Sequence, residues 1–356
     1  MTTYESSQDN LNASAVSRYA RQIRYAPIGP SGQERLTGSR VAVVGLGALG
    51  SVAAQHLVRS GVGFVRIIDR DVLEWSNLQR QVLYTEDDVL RMLPKAEAAA
   101  SRLQSMNSTV TIEPHVTDVT SSNAEELLSE VDLIVDGSDN FTVRYLINDV
   151  SLKHGIPWIY GGVVGSTGMT MNYIPGKTPC FRCLFPNPPQ SGAVDTCDTA
   201  GVISPAVDVV ASLQSAEALK WLSGNAQAMR DTLLQLDLWH QQWMPLKVGN
   251  SHRDDCPACA KGHYEFLEQH TFEPAAVALC GRMTVQVTPG QPASLSFDEL
   301  EQRLGRIGEV ERNPFLLKYR RDADITMVIF LNGRALIQGT EDPILAKRVY
   351  AELFSL

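Results

Sequence analysis

The sequence predicts an α/β fold in which a mostly parallel sheet is covered by helices on both faces. Short apolar runs alternate with helix-compatible segments from residue 40 to residue 160, as in such folds. The run Val41–Gly50, VAVVGLGALG, leads from a strand through three glycines into a helix. A second apolar run, Phe64–Asp69, ends on an acid. Residues 277–356 have a separate pattern, which predicts a small additional α+β domain.

The three glycines after the first predicted strand have different physical roles. In folds of this type one glycine makes the tight turn, one lets phosphate approach the backbone, and one lets helix and strand pack closely. Here they are Gly45, Gly47 and Gly50, and the positive end of the following helix favours an anion. Asp69 stands 19 residues after Gly50, where such folds place an acid against a ribose hydroxyl. The stretch predicts a nucleotide site without specifying the nucleotide.

The other elements of the sheet domain follow in chain order. The break at Gly161–Gly162 favours an antiparallel direction for the next strand, and Pro175–Val202, rich in proline, glycine and cysteine, should be irregular. The expected strands are Arg40–Val44, Phe64–Asp69, Val110–Glu113, Val131–Val135, Trp158–Tyr160, Thr167–Tyr173, Thr232–Asp237 and Gln241–Val248. The expected helices are Ser14–Tyr25, Gln33–Thr37, Ala48–Ser60, Pro94–Met106, Asn123–Ser129, Phe141–His154 and Ser204–Ser223.

Changes in composition divide the chain into four parts. We expect disorder over residues 1–13, the sheet domain over 14–262, a linker over 263–276 and the small domain over 277–356. The expected elements of the small domain are the strands Thr284–Thr288, Leu316–Arg320 and Ile325–Phe330 and the helices Ser296–Leu304 and Pro343–Phe354.

The overall composition excludes some classes of protein. A net charge of −9 and a pI near 5.3 argue against a nucleic-acid partner, for which a basic surface is expected. The first residues, MTTYESSQDNLN, lack the pattern of a signal peptide, and no apolar run approaches the ~20 residues that span a membrane. We therefore expect a cytoplasmic protein that binds neither nucleic acid nor membrane.

Four of the six cysteines form two Cys-x-x-Cys pairs, Cys180–Cys183 and Cys256–Cys259. Such pairs supply sulfur ligands to tetrahedral zinc, and nothing in the sequence suggests the export that would favour disulfides. The pairs are separated by 72 residues, so the fold must bring them together. Four cysteine ligands leave no open position on the metal, which predicts a structural Zn2+ site, with four ordinary free thiols as the alternative.

Cys197 lies outside both pairs, in the polar stretch SGAVDTCDTAG. It is either a loop cysteine without a special role or a reactive thiol that attacks an acyl or disulfide partner. Its neighbours Asp195 and Asp198 disfavour a thiolate, which counts against the second interpretation.

Charged residues beyond the glycine turn narrow the choice of nucleotide. Arg80 and Lys95 follow the second predicted strand and are placed to reach phosphate oxygens. Asp136 and Asp139 follow the fourth strand, at the edge where open α/β sheets bind ligands. An acid there can hold Mg2+, although Asp139 could equally cap the helix that begins at Phe141. The cations and the acid suit a nucleoside triphosphate with Mg2+ better than a nicotinamide.

These motifs together resemble the ThiF/MoeB/ubiquitin-activating-enzyme superfamily, over roughly Val16–Cys259. The matching motifs, in family order, are VAVVGLGALGS, IIDRDVLEWSNLQRQ, PKAEAAA, DGSDN, the two cysteine pairs, and TC followed by AGVISP. The resemblance implies a Rossmann-like sheet and an enzyme that uses MgATP to adenylate the C-terminal glycine of a ubiquitin-like sulfur carrier protein, releasing pyrophosphate. It implies a role in thiamine or molybdopterin biosynthesis, a homodimer, and a cysteine desulfurase or another sulfur donor.

The resemblance also assigns roles to residues. Arg21 stands with Arg18 and Arg24 on a helix that by its pattern alone is a solvated surface helix. In the family's bacterial homodimers the arginine at the Arg21 position reaches into the partner's active site. Cys197 falls on a cysteine that some members link covalently to the carrier or sulfur. The family's nucleotide-binding positions fall on Gly45, Gly47, Gly50, Asp69, Asn77, Arg80, Gln81 and Lys95, and its Mg2+-associated aspartate on Asp139.

The C-terminal extension separates this chain from the minimal bacterial enzymes. It lacks the cysteine loop of a rhodanese domain and resembles the extension of some Gram-positive thiamine-pathway homologues, which favours a thiamine-type carrier. Two alternatives remain for the whole protein. An NAD-dependent oxidoreductase would leave the cysteine pairs, SNLQRQ and DGSDN unexplained, and a non-catalytic scaffold would not need Arg21, Arg80, Lys95 and Asp139 together.

Overall fold

The computed structural model describes residues 17–189, 197–269, 275–279, 283–290 and 294–355. These residues divide into two units. The first unit holds the described residues up to 90, those from 94 to 189 and those from 202 to 268. The second unit holds residues 91–93, the described residues from 197 to 201 and those from 269 onward. The segment predicted to be disordered, 1–13, lies outside the described residues.

The described residues form two sheets and their helices. The strands are β1 Arg40–Val44, β2 Phe64–Ile68, β3 Thr111–His115, β4 Leu133–Asp136, β5 Trp158–Val164, β6 Thr167–Tyr173, β7 Thr232–Asp237, β8 Gln242–Lys247, β9 Ala275–Leu279, β10 Thr284–Thr288, β11 Glu309–Arg312, β12 Leu316–Arg320, β13 Thr326–Phe330 and β14 Ala335–Gln338. The helices are α1 17–24, α2 Gly29–Gly38, α3 Ala48–Arg59, α4 Glu86–Leu90, α5 Lys95–Met106, α6 Ala124–Leu128, α7 Phe141–His154, α8 Phe181–Leu184, α9 Cys197–Ala200, α10 Ser204–Leu222, α11 Glu265–Glu268, α12 Phe297–Leu304 and α13 Pro343–Ser355.

The first unit is built on an eight-stranded sheet in the order β3-β2-β1-β4-β5-β6-β7-β8. Strands β1 to β5 run parallel, and β6, β7 and β8 continue the sheet antiparallel. Residues Val41–Val44 are buried, as expected for a central parallel strand covered on both faces. The predicted mostly parallel α/β fold and the antiparallel direction of Thr167–Tyr173 are both confirmed.

Strand β5 is longer than predicted, because it continues through Gly161 and Gly162 to Val164. A Cβ atom on Gly161 would lie 2.5 Å from the side-chain amide carbon of Gln214 on α10. Glycine is therefore required there for helix packing, and the sequence prediction that it breaks the strand was wrong. The stretch predicted to be irregular also contains the short helix α8, which carries Cys183.

Part of the predicted linker 263–276 is ordered against the first unit's core. It contains α11, in which the Phe266 ring stacks on Tyr145 of α7 at a centroid distance of 4.6 Å. The Phe266 backbone N–H donates to the Asp149 carboxylate at 3.0 Å. Leu267 is buried in the same core, and Tyr264 packs against it. The glutamates at both ends of α11 hid this packing from the sequence pattern.

The second unit contains a six-stranded antiparallel sheet in the order β11-β12-β13-β14-β10-β9. Helices α12 and α13 bury Leu300, Leu304, Val349 and Leu353 in its core. Strands β9, β11 and β14 were not predicted. Strand β11 is charged and largely exposed at the sheet's edge, so no apolar alternation marks it. Among the described helices of both units, none is long and apolar enough to cross a membrane.

Candidate functional site

The glycine turn between β1 and α3 lies at the carboxyl edge of the parallel strands. Gly45 has a φ of +84°, and a Cβ atom on Gly50 would lie 1.8 Å from the Gly45 carbonyl oxygen. A Cβ atom on Gly45 would also lie 2.8 Å from the Gly137 backbone, and one on Gly137 would lie 2.7 Å from backbone atoms of Gly45 and Gly50. Gly47 differs, because the nearest atom to a Cβ there is Gln81 Nε2 at 3.9 Å. The turn thus combines two packing glycines with one that leaves open space beside the backbone.

Replacing Gly50 with alanine is expected to lower stability by about 1–3 kcal/mol and ATP affinity by at least about tenfold, because the turn must move. Thermal unfolding and titration calorimetry measure the two effects. Gly47→Ala is the matched control, since its Cβ has room in the unliganded protein. This control should keep stability and lose only affinity for ATP. Unchanged ATP affinity in both variants would rule out a phosphate site at this turn.

Asp69 follows β2 and fixes the glycine turn. Its carboxylate accepts the backbone N–H of Leu46 at 2.6 Å and that of Asp71 at 2.7 Å. Burial raises the pKa of Asp69, and the nearby Lys95 charge acts in the opposite direction. The Tyr84 hydroxyl donates to the Leu46 carbonyl at 2.8 Å, which holds the same turn from another side. Asp69 therefore positions the turn, and the ribose contact stays a prediction.

Lys95 begins α5 and is almost completely buried. Its ammonium lies 3.0 Å from Asp71 Oδ2, and its backbone N–H donates to the Asp71 carbonyl at 2.9 Å. These two contacts hold the Lys95 ammonium near Asp69, which fixes the glycine turn. The arrangement fits the predicted phosphate contact.

The polar segment after β2 places Asn77, Arg80 and Gln81 differently from one another. Asn77 is buried and caps the 3-10 turn Trp75–Asn77, because its side-chain oxygen accepts the Glu74 N–H at 3.0 Å. Arg80 is partly exposed and donates to the Ser76 carbonyl at 2.9 Å. Gln81 is buried beside Gly47, and its Oε1 has no hydrogen-bond partner among the described residues. An unsatisfied amide oxygen beside the open glycine is what a ligand-binding position provides.

The two aspartates of DGSDN have different environments. Asp136 is fully buried, where it accepts Ser138 N–H and Oγ–H and pairs with Arg144 Nε at 3.0 Å. Burial raises the pKa of Asp136 despite the Arg144 charge. Asp139 is exposed and makes no hydrogen bond or ion pair with another described residue. Its carboxylate, at the edge where the glycine turn lies, is the oxygen donor here that fits Mg2+.

The cap of helix α7 is Asn140, whose side-chain oxygen accepts the Thr142 N–H at 2.8 Å. The alternative interpretation of Asp139 as a helix cap was therefore wrong. The sequence could not separate the two residues, because aspartate and asparagine are equally good caps and stand side by side.

The other two predicted catalytic residues lie on the helices α1 and α9. Arg21 is exposed on α1, as are Arg18 and Arg24. Cys197 begins α9, which belongs to the second unit, and its side chain lies outside the described residues. The predicted roles of Arg21 and Cys197 stay predictions.

The two cysteine pairs meet in one cluster, as the zinc prediction required. Their four sulfur atoms all lie within 4.8 Å of one another, with Cys180–Cys256 at 3.6 Å and Cys183–Cys259 at 3.4 Å. A tetrahedron of Zn–S bonds of about 2.3 Å places sulfurs about 3.8 Å apart. Burial raises the pKa of Cys180, and that of Cys259 to about 12, whereas at Cys256 hydrogen bonds outweigh burial and lower the pKa. The cluster fits a structural zinc site.

Arg144 and Gln214 are site residues that the sequence analysis missed. Arg144 donates to the Ser138 carbonyl at 2.7 Å and the Gly161 carbonyl at 3.1 Å, and Gln214 donates to the Asp136 carbonyl at 2.8 Å. Each is a polar residue on an otherwise buried helix face. That mismatch was the available signal, since buried polar side chains require partners.

The fold and the glycine turn together are those of a nucleotide-binding α/β protein, and its cysteine cluster fits a structural zinc site. The ThiF family model matches residues 19–258, about two thirds of the chain, and the protein belongs to the ThiF family. It is 47% identical to the sulfur carrier protein ThiS adenylyltransferase of Bacillus subtilis, over 94% of this chain and 98% of that protein.

Other relatives match a smaller share of the chain. A sulfur carrier protein adenylyltransferase of Thermus thermophilus is 43% identical over 68% of this chain and 90% of its own length. The Escherichia coli MccB structure with ATP has a TM-score of 0.59 at 24% identity, over 68% of this chain and 74% of that chain. That structural likeness supports the fold. The Bacillus protein, in contrast, also matches through the C-terminal region.

Proposed function

We propose that the protein adenylates the C-terminal carboxylate of a ubiquitin-like sulfur carrier protein, using ATP and Mg2+ and releasing pyrophosphate, in thiamine or molybdopterin biosynthesis. The observation that carries the proposal is that the glycine turn, the buried Lys95 and the exposed Asp139 lie at one edge of the sheet. The end-to-end match to the Bacillus ThiS adenylyltransferase supports a thiamine-type carrier.

The chemistry of this reaction is mainly electrostatic. A carboxylate oxygen of the carrier attacks the α-phosphorus, a new P–O bond forms, and the bond to pyrophosphate breaks. Arg80 and Lys95 would stabilise the negative charge that builds up on the phosphate oxygens. Mg2+ bound through Asp139 would supply further charge neutralisation. No general base is needed, because the attacking carboxylate is already ionised at neutral pH.

The carrier would dock on β8, one of the two edge strands of the large sheet. Every residue of β8 is exposed, and Trp239 and Trp243 keep 73% and 50% of their surfaces accessible, beside exposed Met244 and Leu246. The register places the β7–β8 turn at the carboxyl end of β5, because Val164 pairs with Thr167 and Thr167 with Asp237. Exposed apolar surface of this kind indicates a protein partner.

The distance from this surface to the site matches a short tail. Four strand spacings separate β4 from β8, or about 19 Å at about 4.8 Å per spacing. An extended peptide of about six residues covers that distance at about 3.3 Å per residue. A folded carrier on β8 could thus place its C-terminal carboxylate at the carboxyl end of β4.

Replacing Trp243 with serine is expected to raise the carrier KM about tenfold, with kcat and ATP affinity unchanged, because the side chain lies on the docking strand. Steady-state kinetics with varied carrier measures the effect. Leu90→Ser, at an exposed apolar residue of α4, is the control and should behave as wild type. An unchanged carrier KM for Trp243→Ser would place the docking surface elsewhere.

The function itself is tested by ATP–pyrophosphate exchange with purified thiamine-type and molybdopterin-type carriers. Exchange that depends on one carrier supports the proposal and identifies the pathway. Absence of exchange with both carriers would favour a non-catalytic scaffold, and thermal stabilisation by NAD in place of MgATP would favour an oxidoreductase. We further propose a cytoplasmic homodimer in which Arg21 completes the partner's site. A cysteine desulfurase or another donor would supply sulfur after adenylation.

A further inference from the structure

We infer that Arg144 is a positioning residue that sets the Asp139 carboxylate for Mg2+, an inference that rests on the proposed MgATP site. Its side chain is buried at the start of α7, one helical turn beyond the cap at Asn140. It donates from Nε to Asp136 at 3.0 Å and from Nη2 to the carbonyls of Ser138 and Gly161. One guanidinium thus connects the strand end, the loop that follows it and the neighbouring strand β5.

These contacts fix the loop that carries Asp139. Asp136 links Arg144 to this loop, because its other carboxylate oxygen accepts the Ser138 N–H at 2.9 Å and the Ser138 hydroxyl at 2.6 Å. The Gly137 N–H donates to the Val44 carbonyl at 2.8 Å, at the end of β1. Asp139 itself makes no side-chain hydrogen bond among the described residues. The position of its carboxylate is therefore set by the loop, and the loop by Arg144 and Asp136.

The guanidinium cannot be replaced by a simple positive charge. Arg144 holds three acceptors in a planar fork, and its Cζ lies 4.9 Å from the Tyr160 ring centroid. A lysine ammonium keeps the charge beside Asp136 but lacks the planar geometry. A buried ion pair adds little net stability compared with apolar packing. The main contribution of the Arg144–Asp136 pair is therefore to fix the geometry of the loop.

The test compares binding of a non-hydrolysable ATP analogue with and without Mg2+ by titration calorimetry. In Arg144→Lys, the gain in affinity that Mg2+ provides is expected to fall about tenfold, while metal-free binding stays within about twofold. Arg66→Lys is the matched control. Arg66 is also buried, pairs with Glu113 at 2.6 Å and donates to two backbone carbonyls, but it lies in the middle of β2. Arg66→Lys should leave unchanged the increase in affinity for the ATP analogue that Mg2+ provides.

A double-mutant cycle gives the decisive result. Once Asp139→Asn has removed the metal-binding carboxylate, Arg144→Lys should have no further effect on the gain from Mg2+. The inference would be overturned if the two substitutions reduced the gain from Mg2+ additively. It would also be overturned if Arg144→Lys weakened metal-free binding as much as binding with Mg2+. If Arg144→Lys fails to fold, Asp136→Asn breaks the same chain of contacts and must give the same pattern. The binding assay needs no carrier, so failure of carrier-driven exchange in the wild type would count against the proposed function alone.

Discussion

Replacing Asp139 with alanine is expected to reduce carrier-dependent ATP–pyrophosphate exchange by at least about a thousandfold. The side chain is exposed and makes no hydrogen bond or ion pair with another described residue, so its loss should leave the fold intact. The effect would come entirely from the missing metal ligand, because Mg2+ offsets charge that builds up on the phosphates. Initial exchange rates at saturating ATP and carrier, alongside the thermal unfolding midpoint, measure the two properties separately.

The neighbouring residue provides a sharp control. Asn140 caps α7 through its side chain, so Asn140→Ala should cost about 1 kcal/mol of stability and retain most of the exchange activity. Arg80→Ala should resemble Asp139→Ala, with exchange lost and the fold kept. Normal exchange in Asp139→Ala, or an equal loss in Asn140→Ala, would refute the role given to Asp139.

The parts of the site that could be predicted are those whose chemistry is local in sequence. The strand, glycine turn and helix at Val41–Gly50 lie within a single stretch, and their geometry follows from the residues there. The four cysteines could be paired across 72 residues because a tetrahedral ion requires four ligands. Asp139 could be placed at the sheet edge because it directly follows a strand.

The parts that could not be predicted depend on contacts between distant segments. Gly161 looked like a strand break, and only the approach of Gln214 from α10 explains why a strand needs glycine there. Arg144 received no prediction from its sequence context, and only the fold pairs it with Asp136 of the DGSDN loop. Asp136 and Asp139 looked alike in sequence, and burial alone makes one structural and leaves the other open to a ligand. Local patterns carry no information on which helix packs above a given strand.

Removal of zinc is expected to have the second large effect, a fall of at least about 10 °C in the unfolding temperature of the first unit. The cluster joins the start of α8 to residues 256–259, and α11 follows a few residues later. Arg182 beside Cys183 pairs with Glu265 of α11 at 2.8 Å. Without the metal, the four sulfurs lose their common ligand, and α11 loses one link to the core and keeps the Phe266–Tyr145 stacking. Calorimetry of protein before and after chelation measures the shift, and a colorimetric zinc assay counts the released metal.

Single substitutions separate the effect of losing the metal from the effect of losing any cysteine thiol. Cys256→Ser should lower the unfolding temperature as chelation does and abolish zinc retention, because one of four ligands is lost. Cys197→Ser removes a thiol outside the cluster and should change neither property. Native protein that contains no zinc and has four titratable thiols at these positions would disprove the site. Zinc released without a change in unfolding temperature would show that the cluster does not stabilise the fold. The expected result is a lower unfolding temperature, because the cluster joins the start of α8 to the segment that leads into α11, and both helices pack against α7.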